Sequence, residues 1–337
     1  FKLLHPDPDA PNGFDHVICE ATYGARERSD RTPARRRMRL ASEVSDAAKR
    51  GGALVIPSFA VERTQELVTD LVTLMEEGAI PRARIFIDSP LALKASEVFL
   101  RHADELETGA ELERAFRSKV LHLSQSVEDS KAINRLKGFF IVIAASGMCD
   151  AGRIRHHLKN RLWQRNATVL MVGYQAEGTM GRLLLEGAKR ARIQGDDITV
   201  NAQIRVMNDY SGHADGTELA SWIEERQPIR KNLFLVHSEL PASNGLKDRV
   251  GDRLIAHNRI IIPAIDDVFT LTAKGARRRK TNVTRRIAPK ETAKIDWNNE
   301  LTGLLLDINE AVEKAAGDKA RDVIIRRLRR ALERARG

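Results

Sequence analysis

From Phe14 to about Thr270 the chain repeats one pattern: a short apolar run, a small-residue loop, then a helical stretch. The runs are HVICEATYG, GALVIPSF, ARIFIDSP, FFIVIAASGM, ATVLMVGYQ, VNAQIRVM, KNLFLVHSE and RIIIPAI. Most are short and rich in Val and Ile, as strands buried on both faces are. Helical patterns follow several of them: VERTQELVTDLVTLMEEG, LALKASEVFLRHADEL, RIRHHLKNRLW and GTELASWIEER. Strands alternating with helices predict an α/β fold with a largely parallel sheet. At 337 residues there is length for about two such domains. No internal repeat of fixed period interrupts the pattern.

The residues that end these runs are polar and small. Glu20, Ser58, Asp88 and Ser89, Ser146 and Gly147, Ser211 to His213, and His237 with Glu239 each follow an apolar run. In open α/β sheets ligands bind outside the carboxyl ends of the strands, so six such endings predict one or two composite sites. Other classes are excluded. The longest nearly apolar stretch, Phe139 to Met148, is about half of what a bilayer helix needs. The opening FKLLHPDPDAPNG carries no signal pattern, and two cysteines are too few for a disulfide framework. A cytoplasmic protein with free thiols and no membrane partner is expected.

Charge is unevenly placed. From Ala273 to the end there are 18 Lys and Arg against 9 Asp and Glu, while the preceding 272 residues carry a net charge of only +1. Ala273 to Lys290 holds no acid at all, which suits either a solvated linker or a nucleic-acid arm. Beyond it, Trp297, Leu301, Leu304, Leu305, Ile308 and Val312 fall on one helical stripe. A second helix from about Asp318 sets Ile324, Leu328 and Leu332 against six arginines. That pair either packs on the body or makes a nucleic-acid or partner contact.

The nine histidines include no His-x-His, no Glu-x-x-His and no Cys-x-x-Cys, so spacing alone encodes no complete metal site. His213 is presented by a Ser211–Gly212 loop just before a helix, where Ser211 suits an N-terminal cap and backbone N–H groups suit a phosphate. The alternative is a histidine bonded within a helix-start loop. His237 ends the run NLFLV and faces a strand-end crevice, where on its own it is more often structural than a ligand. The loop of ASGMCDAGRIRHHL, with Ser146, Gly147 and Gly152, could cradle a phosphate, although it fits neither the P-loop nor the dinucleotide spacing.

Together these segments resemble the β-CASP ribonucleases of the metallo-β-lactamase superfamily. CEATYG resembles the family's acidic motif A, IPSFAVERTQE the segment opening the inserted β-CASP domain, and IDSPLA its next strand end. SGMCDAGRIRHHL resembles the S-G-M loop, YSGHAD motif B and LVHSE motif C. The match runs from about Lys2 to Ala264 with the segments in order. It implies a metallo-β-lactamase αββα domain, here residues 1–24 and 198–270, interrupted by an α/β β-CASP domain at 25–197. A basic linker and helical tail would occupy 271–337.

The resemblance carries His237 over as a zinc ligand, and His213 as a histidine near the scissile phosphate, oriented by Glu20. It implies two zinc ions, RNA as partner, and exonuclease-like RNA processing or decay. Arg63, Ser146, Gly147, Met148 and Ser211 are expected around the phosphate, unless Arg63 pairs with Glu62 or Glu66 on its own helix. The family's H-x-H-x-D-H loop, a further histidine and the bridging aspartate are not in these 337 residues. The expectation is therefore the carboxyl-side part of a zinc-dependent ribonuclease, inactive alone. A non-catalytic RNA-binding scaffold of the same family is the alternative, and a homo-oligomer is left open. Ala21 for Ser and Ser238 for Gly are the smaller departures.

Overall fold

The computed structural model describes residues 11–28, 32–280, 308, 311–312 and 315–334. Residues 1–10 and the stripe positions Trp297, Leu301, Leu304 and Leu305 lie outside the described residues. In chain order the elements are β1 (His16–Glu20), α1 (Pro33–Arg50), β2 (Ala53–Pro57), α2 (Arg63–Glu76), β3 (Ile85–Ile87), α3 (Pro90–Arg101), α4 (Gly109–Phe116) and β4 (Leu121–Leu123). Then come α5 (Val127–Asn134), β5 (Phe140–Ala144), α6 (Ile154–Arg161), β6 (Thr168–Met171), α7 (Met180–Leu185), β7 (Arg190–Ile193), β8 (Asp196–Thr199) and β9 (Gln203–Val206). The last are α8 (Gly216–Glu225), β10 (Asn232–Val236), α9 (Leu240–Val250), β11 (Ile260–Ile261), β12 (Val268–Thr272), β13 (Gly275–Arg279) and α10 (Asp318–Arg334).

Two parallel sheets organise the molecule. The larger has the order β4-β3-β5-β2-β6-β9, the smaller β1-β10-β11. In the larger, β2 and β5 are buried along their whole length, as their unbroken apolar sequences require. Helices cover both of its faces. Leu40 and Val44 of α1 with Leu67 and Leu71 of α2 pack on one, and Ile154 and Leu158 of α6 on the other. Helices α8 and α9 bury Leu219, Ile223, Leu246 and Val250 against Val17, Cys19, Leu233 and Leu235 of the smaller sheet.

Helix α1 was not singled out in the sequence, although it is well terminated. The Thr32 side chain accepts from Arg35 N–H, Pro33 opens the first turn, and Gly51 closes it at φ +74°. Its apolar stripe is hidden among arginines, and those arginines bond inward. Arg36 and Arg37 both hold Asp70 of α2 at 2.8 Å, and Tyr210 donates to the same carboxylate at 2.7 Å.

The basic stretch expected to be a linker from residue 271 instead begins as a β-hairpin, with Val268 paired to Arg279 and Thr272 to Gly275. The alternation VFTLT supplies one strand and Ala273–Lys274 the turn, a period-2 signal that the run of arginines obscures. The second tail helix forms as α10, from Asp318.

Candidate active site

Strands β1 and β10 run side by side in register, Glu20 beside Val236, so Glu20 and His237 leave the sheet at the same end. Segment Ala21–Arg28 then passes along the loop before α8. Tyr23 bridges to Asp215, and Arg26 C=O accepts from Gly216 N–H at 2.8 Å. This brings His213 to the ends of the two strands. One ligand atom each from Glu20, His213 and His237 lies within 4.8 Å of the other two. Glu20 Oε1 is 3.4 Å from His213 Nδ1, and the two imidazole centroids are 5.2 Å apart.

Thr22 stands at the centre of this group and was not picked out from the sequence. Its backbone N–H donates to Glu20 Oε2 at 2.6 Å, and its hydroxyl donates to the His237 carbonyl at 2.9 Å. With that proton committed, Thr22 Oγ1 can only accept from the imidazoles, whose Nδ1 atoms lie 3.4 Å away for His213 and 3.2 Å for His237. An Nδ1–H tautomer on both rings leaves each Nε2 free on the side away from Thr22. Burial alone would raise the Glu20 pKa. Hydrogen bonds from His213 and Thr22 outweigh it and hold the carboxyl below its usual range, so Glu20 is a carboxylate at neutral pH.

His237 sits at φ +55°, a left-handed backbone conformation that costs a non-glycine residue of order 1 kcal/mol or more. Its carbonyl bond from Thr22, and that from Ala21 N–H to Val236 C=O at 3.0 Å, hold the turn. Gly24 serves the same corner differently. A Cβ there would lie 2.6 Å from the Ala242 carbonyl of α9, so only glycine lets the strand end approach the helix.

The loop carrying His213 is braced from beneath. Arg28 donates to the carbonyls of His213 and of Asn208 (3.3 Å), and its guanidinium stacks 4.5 Å over Tyr23. The helix cap is Asp215, not Ser211. Asp215 accepts from Thr217 and Glu218 N–H at 3.0 Å while Glu218 reaches back to Asp215 N–H, a full capping box. Ser211 Oγ makes only a long 3.4 Å contact with His213 N–H.

Two of the residues expected around the phosphate, Arg63 and Gly147, lie against Gly212 and Phe59 respectively. Arg63 pairs with Glu66 on its own helix, the bland outcome, yet its guanidinium also reaches Gly212, where a Cβ would lie 3.2 Å from Nη2. Gly147 lies under the half-exposed Phe59 ring, with no room for a Cβ. Ser146 N–H is spent on the Ala151 carbonyl at 3.0 Å, so it is not a donor to a ligand. Among the described residues, Gly147 and Met148 N–H have no protein acceptor. Beneath this loop Asp88, fully buried, accepts from Ser130 (2.6 Å), Arg153 (2.8 Å) and His157 (2.6 Å). Glu239 ties the two sheets together, accepting from Tyr174 at 2.5 Å and Arg182 at 3.2 Å.

Comparison with known proteins matches a Beta-Casp domain over residues 64–184, and a Zn-dependent metallo-hydrolase RNA specificity domain over 197–263. The chain belongs to the β-CASP family of the metallo-β-lactamase superfamily. Among β-CASP proteins it is 34% identical over 244 residues to ribonuclease TTHA0252 of Thermus thermophilus, covering 71% of this chain and 54% of that protein. It is 27% identical over 271 residues to the transcription termination factor FttA of Methanosarcina mazei, 77% of this chain and 42% of that one. The factor of the same name from Thermococcus kodakarensis is 26% identical over 280 residues, with the same coverage. The chain thus spans about half the length of the curated β-CASP relatives it matches. The α/β architecture expected from the sequence is the family's, and none of the described helices is long and apolar enough to cross a membrane.

Proposed function

We propose that this chain is the carboxyl-side part of a zinc-dependent ribonuclease, hydrolysing RNA phosphodiester bonds in the cytoplasm during RNA processing or decay. The convergence of Glu20, His213 and His237 at one pair of strand ends carries the reading. Two imidazoles and a carboxylate are donor types that zinc takes, and the Nε2 atoms facing away from Thr22 are the free ones. The set therefore fits zinc in kind, but with Glu20 and His213 paired to each other, His237 is the one donor left to a metal, fewer than two ions need.

His237 is the zinc ligand of this chain. Zinc chemistry at such a site is Lewis-acidic, easing deprotonation of a water and offsetting phosphate charge. His213 lies beside the scissile phosphate and moves a proton at Nε2, while Glu20 and Thr22 fix its tautomer through Nδ1. Gly147 and Met148 N–H, with Arg63 and the Ser211 loop, hold the phosphate backbone at the cleft. The domain division follows the same reading: 1–24 and 198–270 as the metallo-β-lactamase side, which lends β9 and Tyr210 to the larger sheet, 25–197 as the β-CASP side and 271–337 as the tail.

The test is metal analysis with cleavage of a labelled single-stranded RNA. Residues 1–337 alone should hold no stoichiometric zinc and show no chelator-sensitive cleavage. Adding an amino-terminal segment that carries H-x-H-x-D-H, covalently or as a second chain, should restore both, and His213→Ala should then abolish cleavage. Robust EDTA-sensitive cleavage by residues 1–337 alone would overturn the division of the site between two segments.

A further inference from the structure

The β12–β13 hairpin lies on the open face of the smaller sheet. Phe269 packs edge-on against Phe234 of β10 at 5.3 Å, and His16 Nε2 lies 2.9 Å from the Thr272 carbonyl. Asn232 Oδ1 accepts from Ala276 N–H at 3.0 Å. These contacts set the hairpin's direction. Its tip lies over the start of β10, and its open end, where Val268 pairs with Arg279, points toward the end that carries Glu20 and His237.

Strand alternation then sorts the three consecutive arginines. Arg278 pairs across from Phe269 and, although its side chain is 62% exposed, Asp267 neutralises it. Arg277 and Arg279, opposite Thr270 and Val268, fall on the outer side. Both are exposed, as are Lys274 and Lys280, and none of the four has an acidic partner among the described residues. Several arginines of the body are paired, including Arg36, Arg37, Arg153 and Arg205. On the hairpin, four cations without such a partner fall within residues 274–280.

We infer that the outer face of the hairpin is a second RNA-binding surface, a ledge on which Arg277, Arg279 and Lys280 track the sugar–phosphate backbone of single-stranded RNA running to or from the cleft. Its link to the cleft rests on the function proposed above; its charge does not. The two arginines are about 6.7 Å apart along the strand, of the order of one nucleotide step in an extended chain. They are carried on a hairpin docked to the body, so less freedom is lost on binding than with a loose basic arm. The outer face offers Val268, Thr270 and Thr272 beside the cations, without the aromatic anchors that a protein interface uses. Contacts of this kind read charge and not sequence.

The experiment is fluorescence anisotropy of the whole chain with a labelled 20-nucleotide RNA of mixed sequence, across a salt series. Arg277→Ala/Arg279→Ala/Lys280→Ala should weaken binding roughly tenfold at low salt, and flatten the log–log salt slope by about 2, at about 0.7 per lost phosphate contact. Arg277→Lys/Arg279→Lys should keep the slope. Arg63→Ala, at the cleft, is the parallel control. If it weakens binding while the hairpin variant changes neither affinity nor slope, the ledge is refuted and the cleft reading stands. If wild type does not bind RNA, both fall. An equal loss of binding to polyglutamate of matched charge would mark the hairpin as a general anionic contact, and would also refute the ledge.

Discussion

Asp88→Ala is the sharpest test of what holds the 146–153 loop in place. The carboxylate is fully buried at the end of β3 and accepts from Ser130, Arg153 and His157 at 2.6–2.8 Å. Arg153 keeps two other acceptors, the carbonyls of Ser124 at 3.2 Å and Gln125 at 3.0 Å. Ser130 and His157, both buried, have no such alternative among the described residues. Two stranded donors at about 1–3 kcal/mol each, plus the lost charge-assisted bond, give about 3–5 kcal/mol. At roughly 2–4 °C per kcal/mol for a domain of this size, the melting temperature should fall by about 10 °C.

Far-UV circular dichroism melts read the shift, and pH checks its origin. Burial opposes ionisation of Asp88, but the bonds from His157, Ser130 and Arg153 outweigh it and place the carboxyl below its usual range. The stabilisation is then fully present above the ordinary value of about 3.9 and lost as pH falls through the lower native value. The gap between wild type and variant should therefore be constant from pH 8 to pH 5 and close only in strong acid. A fall of less than about 2 °C at pH 7, or a gap that closes near pH 6, would refute the reasoning.

Thr22→Val should leave the His237 carbonyl without its donor, cost about 1–3 kcal/mol in thermal stability, and lower cleavage at least tenfold in the zinc-loaded, complemented protein. Thr22→Ser, which keeps the hydroxyl, should restore most of both. Cys19, its thiol pushed up to about 12 chiefly by burial, and Cys149, raised further by full burial, should resist iodoacetamide at pH 8 in the native chain. Both should react in urea, as counted by mass spectrometry, and rapid native labelling of either would contradict the packing around it.

Much of the fold was legible because its strands are short and continuously apolar. β2, β5 and β6 stand out for that reason, and the polar residues that end β1 and follow β10, Glu20 and His237, converge with His213. Other elements were hidden by composition. Helix α1 escaped notice because arginines break up its apolar stripe, yet two of them close a buried network on Asp70. The hairpin was concealed by the same kind of run. Within the site, Glu20, His213 and His237 carried chemically obvious side chains, whereas Thr22 does its work by proton direction, which spacing does not encode. Ser211 lost the cap to Asp215 because Glu218, three residues on, completes the box only with Asp215. Ser146 kept its place in the loop but not its free N–H.

Tyr210 has a consequence for the ancestry of the molecule. It precedes the His213 loop by only three residues, yet its ring is fully buried in the core of the larger sheet, its hydroxyl on Asp70 and the Arg36 guanidinium over its face. The larger sheet and the loop that presents the histidine are joined at this residue, with the Arg39–Asp209 pair beside it at 2.9 Å. Recombination that exchanged the larger sheet between relatives, in nature or in the laboratory, would have to move Asn208–Tyr210 together with its Asp70 and Arg36 socket. A crossover placed between them would strand a phenol and a carboxylate in a mismatched core. Chimeras should therefore survive junctions on the far side of the His213 loop and fail at junctions before Asn208.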